Sequence, residues 1–471
     1  MSLLASDNNV MPAVRYLCSS IAFCASLLSA ADSNDFPTAQ LDQKISATLA
    51  AYGAPSVSVA IVRNGTLAYA RAFGQANLAE HRPAEVTTRY AVGSISKQFT
   101  VAAILLAQEQ GKLSLNDKVA KYLPDLTRAG EVSIRQLLSH TSGYEDHAPQ
   151  DYMIAEWAKP TTPDAIMNGW AKKPLNFDPG TRWQYSNTNY TIAGKILEKA
   201  TGQDLMAFLQ EHILTPLGMQ SAGDCNAKSP QDATAYTRFA LGPPRPVARE
   251  GAGWYFAAGE LCMAPADLAK WDIAFLEKRI LSASSYTEFT KEVKLADGKA
   301  THYALGLSLN EVQGLPAISH GGEVSGFLAL NTLVPEKKTG IVVLSNEDGV
   351  DMVPTVMREI AGILLAPGNA EAGKQDDLVR KTLEELAQGK ITRALFTQNA
   401  SDYFSAAALE DYRASFAPLG KLTLLSRQRE QLRGGMTHLS YRAHFEHDTV
   451  ALNIYVMPDG KFEQFMVEET F

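Results

Sequence analysis

Runs of lysine or arginine are lacking in this chain of 471 residues, whose formal net charge is -8 and whose pI is near 5.7. A nucleic-acid surface needs clustered positive charge, so no nucleic-acid partner is expected. Cysteine is scarce, with residues at 18, 24, 225 and 262 only. Long apolar runs are scarce too: Tyr16 to Ala30 is mostly apolar but too short and too serine-rich for a membrane span. There is no internal repeat, and no Gly-x-Ser-x-Gly elbow of the kind that carries a hydrolase serine. His438, His444 and His447 lack the spacing of neighbouring ligands, so no metal or cofactor is expected. What remains is the composition of a globular protein, 46% hydrophobic and 20% charged, long enough for two or three folding units.

The amino terminus reads as a secretory signal. Arg15 precedes the apolar run, and Ser29-Ala-Ala31 offers small residues before Asp32. Residues 1–31 are therefore expected to be removed, giving a secreted or periplasmic product without stable membrane insertion. Cys225 and Cys262 would remain, able to form one bridge if their backbones approach.

Leu41 to Tyr52 has helical spacing, and Pro55 to Val62 alternates like a strand. Asn64-Gly65 is a hairpin signal because both residues tolerate positive φ, and Thr66 to Phe73 returns as the partner strand. Further strands are expected at His302 to Leu309, Phe327 to Pro335 and Gly340 to Ser345. Helical patterns and loops fill residues 94 to 281. The predicted class is α+β: an antiparallel sheet drawn from both ends of one segment, flanked by helices, with a mostly helical insertion. A first domain at 32–366 would be followed by a small polar linker at 367–376. A separate α+β unit at 377–471 would have helices at Asp377 to Gln388 and Ala406 to Phe416, then strands at His438 to Phe445, Val450 to Val456 and Phe462 to Val467. That pattern is similar to cystatin or NTF2-like domains.

Three motifs carry chemistry. In Gly93-Ser-Ile-Ser-Lys97 a helix opening near Gly93 puts Ser94 and Lys97 one turn apart on one face. A serine is a weak nucleophile at neutral pH, and an amine with a depressed pKa can take its proton. Tyr185-Ser-Asn187 follows a Pro-Gly turn and can put a phenol and an amide on the same side of a loop, as general base and positioning group. Ser319-His-Gly-Gly-Glu-Val-Ser-Gly-Phe327, read as the start of a strand, has glycines that let an acyl substrate lie along the strand edge. An amide near Glu323 would complete an oxyanion hole with that of Ser94.

Ser-x-x-Lys, Tyr-x-Asn and His-x-Gly in this order resemble the serine β-lactamase-related family, which includes class C β-lactamases, DD-peptidases and family VIII esterases. Ile134-Arg-Gln-Leu-Leu-Ser-His-Thr-Ser-Gly143, Thr215-Pro-Leu-Gly-Met219 and Pro265-Ala-Asp-Leu-Ala-Lys-Trp271 add to the resemblance, which spans about Leu41 to Leu365. It implies a β-lactamase/transpeptidase-like fold, with Ser94 the acylated nucleophile, Lys97 its amine and Tyr185 the phenolate base. Asn187 and the run His320, Gly321, Gly322 and Glu323 would bind substrate. Where class C enzymes have Lys-Thr-Gly, His320 and Gly321 remove two groups that anchor a β-lactam carboxylate. The expected substrates are small carboxylic esters or D-amino-acid-containing peptides. The alternatives are a penicillin-binding protein or weak β-lactamase, and, from another class, a non-catalytic binder of peptidoglycan. Lys338-Thr-Gly340 spells the missing motif but reads as a hairpin turn, and His140 reads as a structural loop histidine.

Overall fold

The computed structural model describes residues 36–150, 152–365 and 370–469; the expected signal, with Cys18 and Cys24, lies outside them. Its centre is a seven-stranded antiparallel sheet, in the order Arg82–Pro83, Thr66–Asn77, Ser56–Arg63, Thr339–Ser345, Phe327–Val334, Leu315–Val324 and Ser308–Val312. Asn64 and Gly65, at φ 52° and 77°, turn the first hairpin. The early and late halves of the chain meet in the middle, with Val57 opposite Ser345 and Arg63 opposite Thr339.

Ser56–Arg63 is buried on both faces, which alternation alone does not require. Ala60 and Val62 join the cluster that holds Leu268 and Trp271 of helix Pro265–Leu276, while Val57, Val59 and Ile61 point the opposite way. Helix Ser96–Glu109 is buried from Ser96 to Leu105, so it is an internal helix rather than an amphipathic surface one. Cys225 and Cys262 are bridged, Cα to Cα 4.9 Å, tying the loop after Gly223–Asp224 to strand Leu261–Met263.

Several expectations need correction. His302 to Leu309 is mostly turn, with left-handed φ at His302 and Gly306, and the strand starts only at Ser308. Ser319-His-Gly-Gly lies in the middle of strand Leu315–Val324, not at the start of one. Asn187 is not in a loop: it is the first residue of helix Asn187–Thr201. Of the expected linker at 367–376, residues 367–369 lie outside the described ones and the rest is helical, because Ala, Glu, Lys and Gln favour helix strongly enough to carry Gly373 in helix Ala370–Leu386. Beyond it, helices precede a four-stranded meander. Its first strand, Leu422–Arg433, had no period-two signal, since Arg427 to Gln431 is polar on both sides of an edge strand.

Candidate active site

Ser94 sits where two pieces of backbone nearly touch. Short strand Tyr90–Ala91 pairs with Leu261–Met263, and Val92 N–H extends the pairing to Leu261 O at 3.0 Å. Gly93, at φ 50°, then turns the chain into the 3₁₀ turn Gly93–Ile95. A Cβ on Gly93 would lie 2.8 Å from Glu323 N. One on Gly322 would lie 1.9 Å from Val92 O and 3.3 Å from Ser94 N. Both glycines are therefore required for strand Leu315–Val324 to rest on the serine turn, with the amides of Ser94 and Glu323 brought together. Pairing with Ser308–Val312 ends at Ser319, which leaves the His320-to-Val324 stretch of that edge to the turn and the cavity.

Lys97 is wholly buried below the serine. Its Nζ lies 2.8 Å from each of three oxygens: Ser94 Oγ, Asn187 Oδ1 and Ala258 O. The rings of Tyr185 and Tyr190 stand 4.9 and 5.3 Å away. Burial lowers this amine from 10.5 to about 7, against the opposing pull of Asp146. The partners decide which proton is lost. Asn187 Nδ2 donates to Asp146 Oδ2 at 3.3 Å, so Oδ1 must face Lys97. Asn187 Oδ1 and Ala258 O only accept, and they hold two N–H bonds; the lone pair of the neutral amine then faces the Ser94 hydroxyl.

Tyr185 borders the cavity and hydrogen-bonds Ser94, but burial outweighs that bond and pushes the phenol up. Burial therefore favours the protonated phenol at a position where the resemblance implied a phenolate. His320 is held down at about 4, by burial first and then by Lys97. Its Nδ1 donates to Gly321 O at 2.6 Å, so Nε2 accepts from Tyr303 O–H at 2.9 Å. A neutral imidazole thus occupies the position where class C enzymes are expected to carry a cation.

Ser94, Tyr185, Asn187, His320, Gly321, Gly322 and Glu323 all line one cavity of about 670 Å³, with Lys97 directly behind it. The sequence reading missed Asp146, Glu250, Tyr255 and Asp348, which share the wall. These are single side chains delivered by loops, with no spacing that could have marked them. Glu250 Oε1 accepts from Tyr255 O–H at 2.8 Å, from Ser325 N–H at 3.0 Å and from Ser325 Oγ–H at 2.5 Å. Asp348 Oδ2 accepts from Gly326 N–H at 2.6 Å. Among the described residues that line the cavity, four are acidic and none is Lys or Arg. Lys338 lies elsewhere, at φ 45° in the turn before strand Thr339–Ser345.

A serine whose hydroxyl meets a buried, easily neutralised lysine at the rim of a cleft defines the class of acyl-transferring serine hydrolases. The Beta-lactamase family model matches residues 41–362, and the chain belongs to that family. It is 28% identical over 311 residues to the putative penicillin-binding protein PbpX of Bacillus subtilis strain 168, covering 66% of this chain and 75% of that one. It is also 28% identical over 311 residues to a D-aminopeptidase of Cereibacter sphaeroides, covering 65% and 60%. In fold it is similar to an octameric penicillin-binding protein homologue from Pyrococcus abyssi: TM-score 0.63, 21% identity, covering 92% of this chain and 100% of that one.

Proposed function

We propose that this hydrolase works through an acyl-enzyme on esters and amides of amino acids, D-aminoacyl peptides among them. The contact between Lys97 Nζ and Ser94 Oγ, made by an amine held at about 7, carries the reading. Neutral Lys97 takes the Ser94 proton as Oγ attacks the acyl carbon. The amides of Ser94 and Glu323 receive the developing oxyanion, a contribution of roughly 3 to 4 kcal/mol for each donor. Tyr185, protonated at rest, gives its proton to the leaving amine or alkoxide and recovers one from the Ser94–Lys97 pair. Water then attacks the ester, and the proton it loses returns to Ser94. Asn187 keeps Lys97 oriented throughout.

The acidic wall favours substrates that bring a free ammonium group and disfavours those whose recognition depends on a carboxylate. The D-aminopeptidase relative supports the same substrate class. A penicillin-binding or weak β-lactamase role is less well served, because neutral His320 and the bare Gly321 offer no counter-charge to a β-lactam carboxylate. A non-catalytic binder has no use for a desolvated lysine. The signal-like amino terminus and the Cys225–Cys262 bridge support export.

The test is one preparation assayed against a neutral p-nitrophenyl ester, D-alanine p-nitroanilide, its N-acetylated form and a chromogenic cephalosporin. The free-amine anilide should be turned over much faster than the acetylated one, and Ser94→Ala should abolish both hydrolyses. Residual turnover in Ser94→Ala rejects the nucleophile, and preference for the cephalosporin rejects the substrate class.

A further inference from the structure

The loop Ser139-His-Thr-Ser-Gly143, which follows helix Ile134–Leu138, meets the Tyr185 segment at four points. Asn176 N–H donates to Gly143 O at 2.8 Å and Gly180 N–H to Thr141 O at 2.7 Å. Gln184 N–H donates to His140 O at 3.0 Å, and Ser186 N–H donates to His140 Nδ1 at 3.1 Å. Gly143 is required for the fit, since it adopts φ 91° and a Cβ there would lie 2.3 Å from Phe177 O. The residues on either side of Tyr185 are thus both tied to His140, one by its carbonyl and the other by its ring. That ring also backs the phenol, 4.3 Å between centroids at 32°. His140 is completely buried and is itself in the left-handed region at φ 59°.

We propose that His140 is a positioning residue for Tyr185, gripping the chain on both sides of the phenol so that its O–H stays aimed at the reacting centre. Accepting from Ser186 at Nδ1 leaves the ring proton on Nε2, which finds no partner among the described residues. Burial, together with Lys97 and His320, keeps the ring neutral and therefore able to accept. The inference rests on the mechanism proposed above, in which Tyr185 protonates the leaving group.

The test uses two substitutions and two leaving groups. In His140→Asn the amide oxygen falls where Nδ1 was, and asparagine tolerates left-handed φ, so the grip is kept and the ring lost. In His140→Phe the ring is kept and the acceptor lost. Nitrophenolate leaves without a proton, whereas an anilide nitrogen needs one. His140→Phe should therefore lose about 100-fold in kcat on the anilide and only a few-fold on the p-nitrophenyl ester, with KM little changed. His140→Asn should stay within about tenfold of the parent on both. Equal losses on both substrates by a folded His140→Phe protein, or full anilide turnover by it, overturn the inference. Should His140→Phe fail to fold, a His140→Asn protein that loses anilide turnover selectively overturns it, and one that keeps both activities upholds it. Ser94→Ala run alongside separates the two layers: activity there overturns the mechanism, while an inactive Ser94→Ala with an unimpaired His140→Phe overturns only the role of His140.

Discussion

The amine of Lys97 gives the most exposed prediction. A lysine at 10.5 is neutral in roughly one molecule in three thousand at pH 7, whereas one at about 7 is neutral in half of them. The drop corresponds to about 5 kcal/mol against the charged form. Its origin is in the contacts: all three partners of Nζ are neutral oxygens, and Asp146 is met only through Asn187. With a neutral p-nitrophenyl ester, whose own charge does not change, kcat/KM should rise about tenfold per pH unit below pH 7 and level off above it. Asp146→Asn removes the charge that holds Lys97 up but keeps an oxygen for the Asn187 N–H, now 2.8 Å from Asp146 Oδ1. Its acid limb should move to lower pH. Lys97→Arg, which cannot deprotonate, should lose the limb and at least about 10³ in rate. A plateau reached only near pH 10, or an Asp146→Asn limb that stays or moves up, would refute the desolvated-base argument.

Other consequences are as direct. Tyr185→Phe should cost about 10² to 10⁴ in kcat on an anilide and much less on a p-nitrophenyl ester, as expected of a proton donor to the leaving group; equal losses would return it to the role of base. Gly322→Ala places a methyl 1.9 Å from Val92 O, so acylation of Ser94 and the melting temperature should both fall, whereas Gly321→Thr, with its nearest neighbour 3.9 Å from the new Cβ, should fold like the parent. Asp272, buried against Asn331 at 2.8 and 2.9 Å, is pushed up to about 8 by burial. The folded state then keeps a proton that the unfolded chain releases near 3.8, so stability falls as pH rises between about 4 and 8, by at most about 1.4 kcal/mol per pH unit. Asp272→Asn should flatten that slope in denaturant titrations; an unchanged slope assigns it to other groups.

The chemistry was more legible than the architecture that delivers it. Ser94 and Lys97 could be paired from one helical turn, because i and i+3 share a face whatever the tertiary structure. Tyr185, Asn187 and His320 came from order along the chain and resemblance, since no local rule brings residues 90 positions apart to one oxygen. The sheet was read from alternation and the Asn-Gly turn, which are local, and it failed where local pattern was misleading. His302 to Leu309 looks like a strand until two left-handed residues bend it, and Leu422–Arg433 looks like a loop because its stability comes from pairing rather than from an apolar face. Of the acids of the cavity wall, Glu323 came with the third motif, while Asp146, Glu250 and Asp348 had no signature. A depressed amine at Lys97 was part of the reading from the start, whereas the raised phenol of Tyr185 follows from burial, which no local pattern reports.

Those acids and that amine are in tension, and the way the tension is resolved bears on turnover. Negative charge that attracts an ammonium substrate would also raise Lys97 and disable it as a base. The structure keeps the two apart: Asp146 is engaged by Asn187, Glu250 by Tyr255 and Ser325, and Asp348 by Gly326, while none of them touches Nζ. What field still reaches Lys97 is weakened when a cationic substrate enters, because its ammonium group offsets the carboxylates and adds a like charge near the amine. Binding should thus push Lys97 further toward its neutral form. For a free-amine anilide the acid limb of kcat, which reports the bound enzyme, should lie at lower pH than the limb seen in kcat/KM for a neutral ester, which reports the free enzyme. For the N-acetylated anilide the limb of kcat should show no such displacement. Coincident limbs for the charged and acetylated substrates would mean that the wall attracts without tuning the base, and the electrostatic link between binding and acylation would have to be given up.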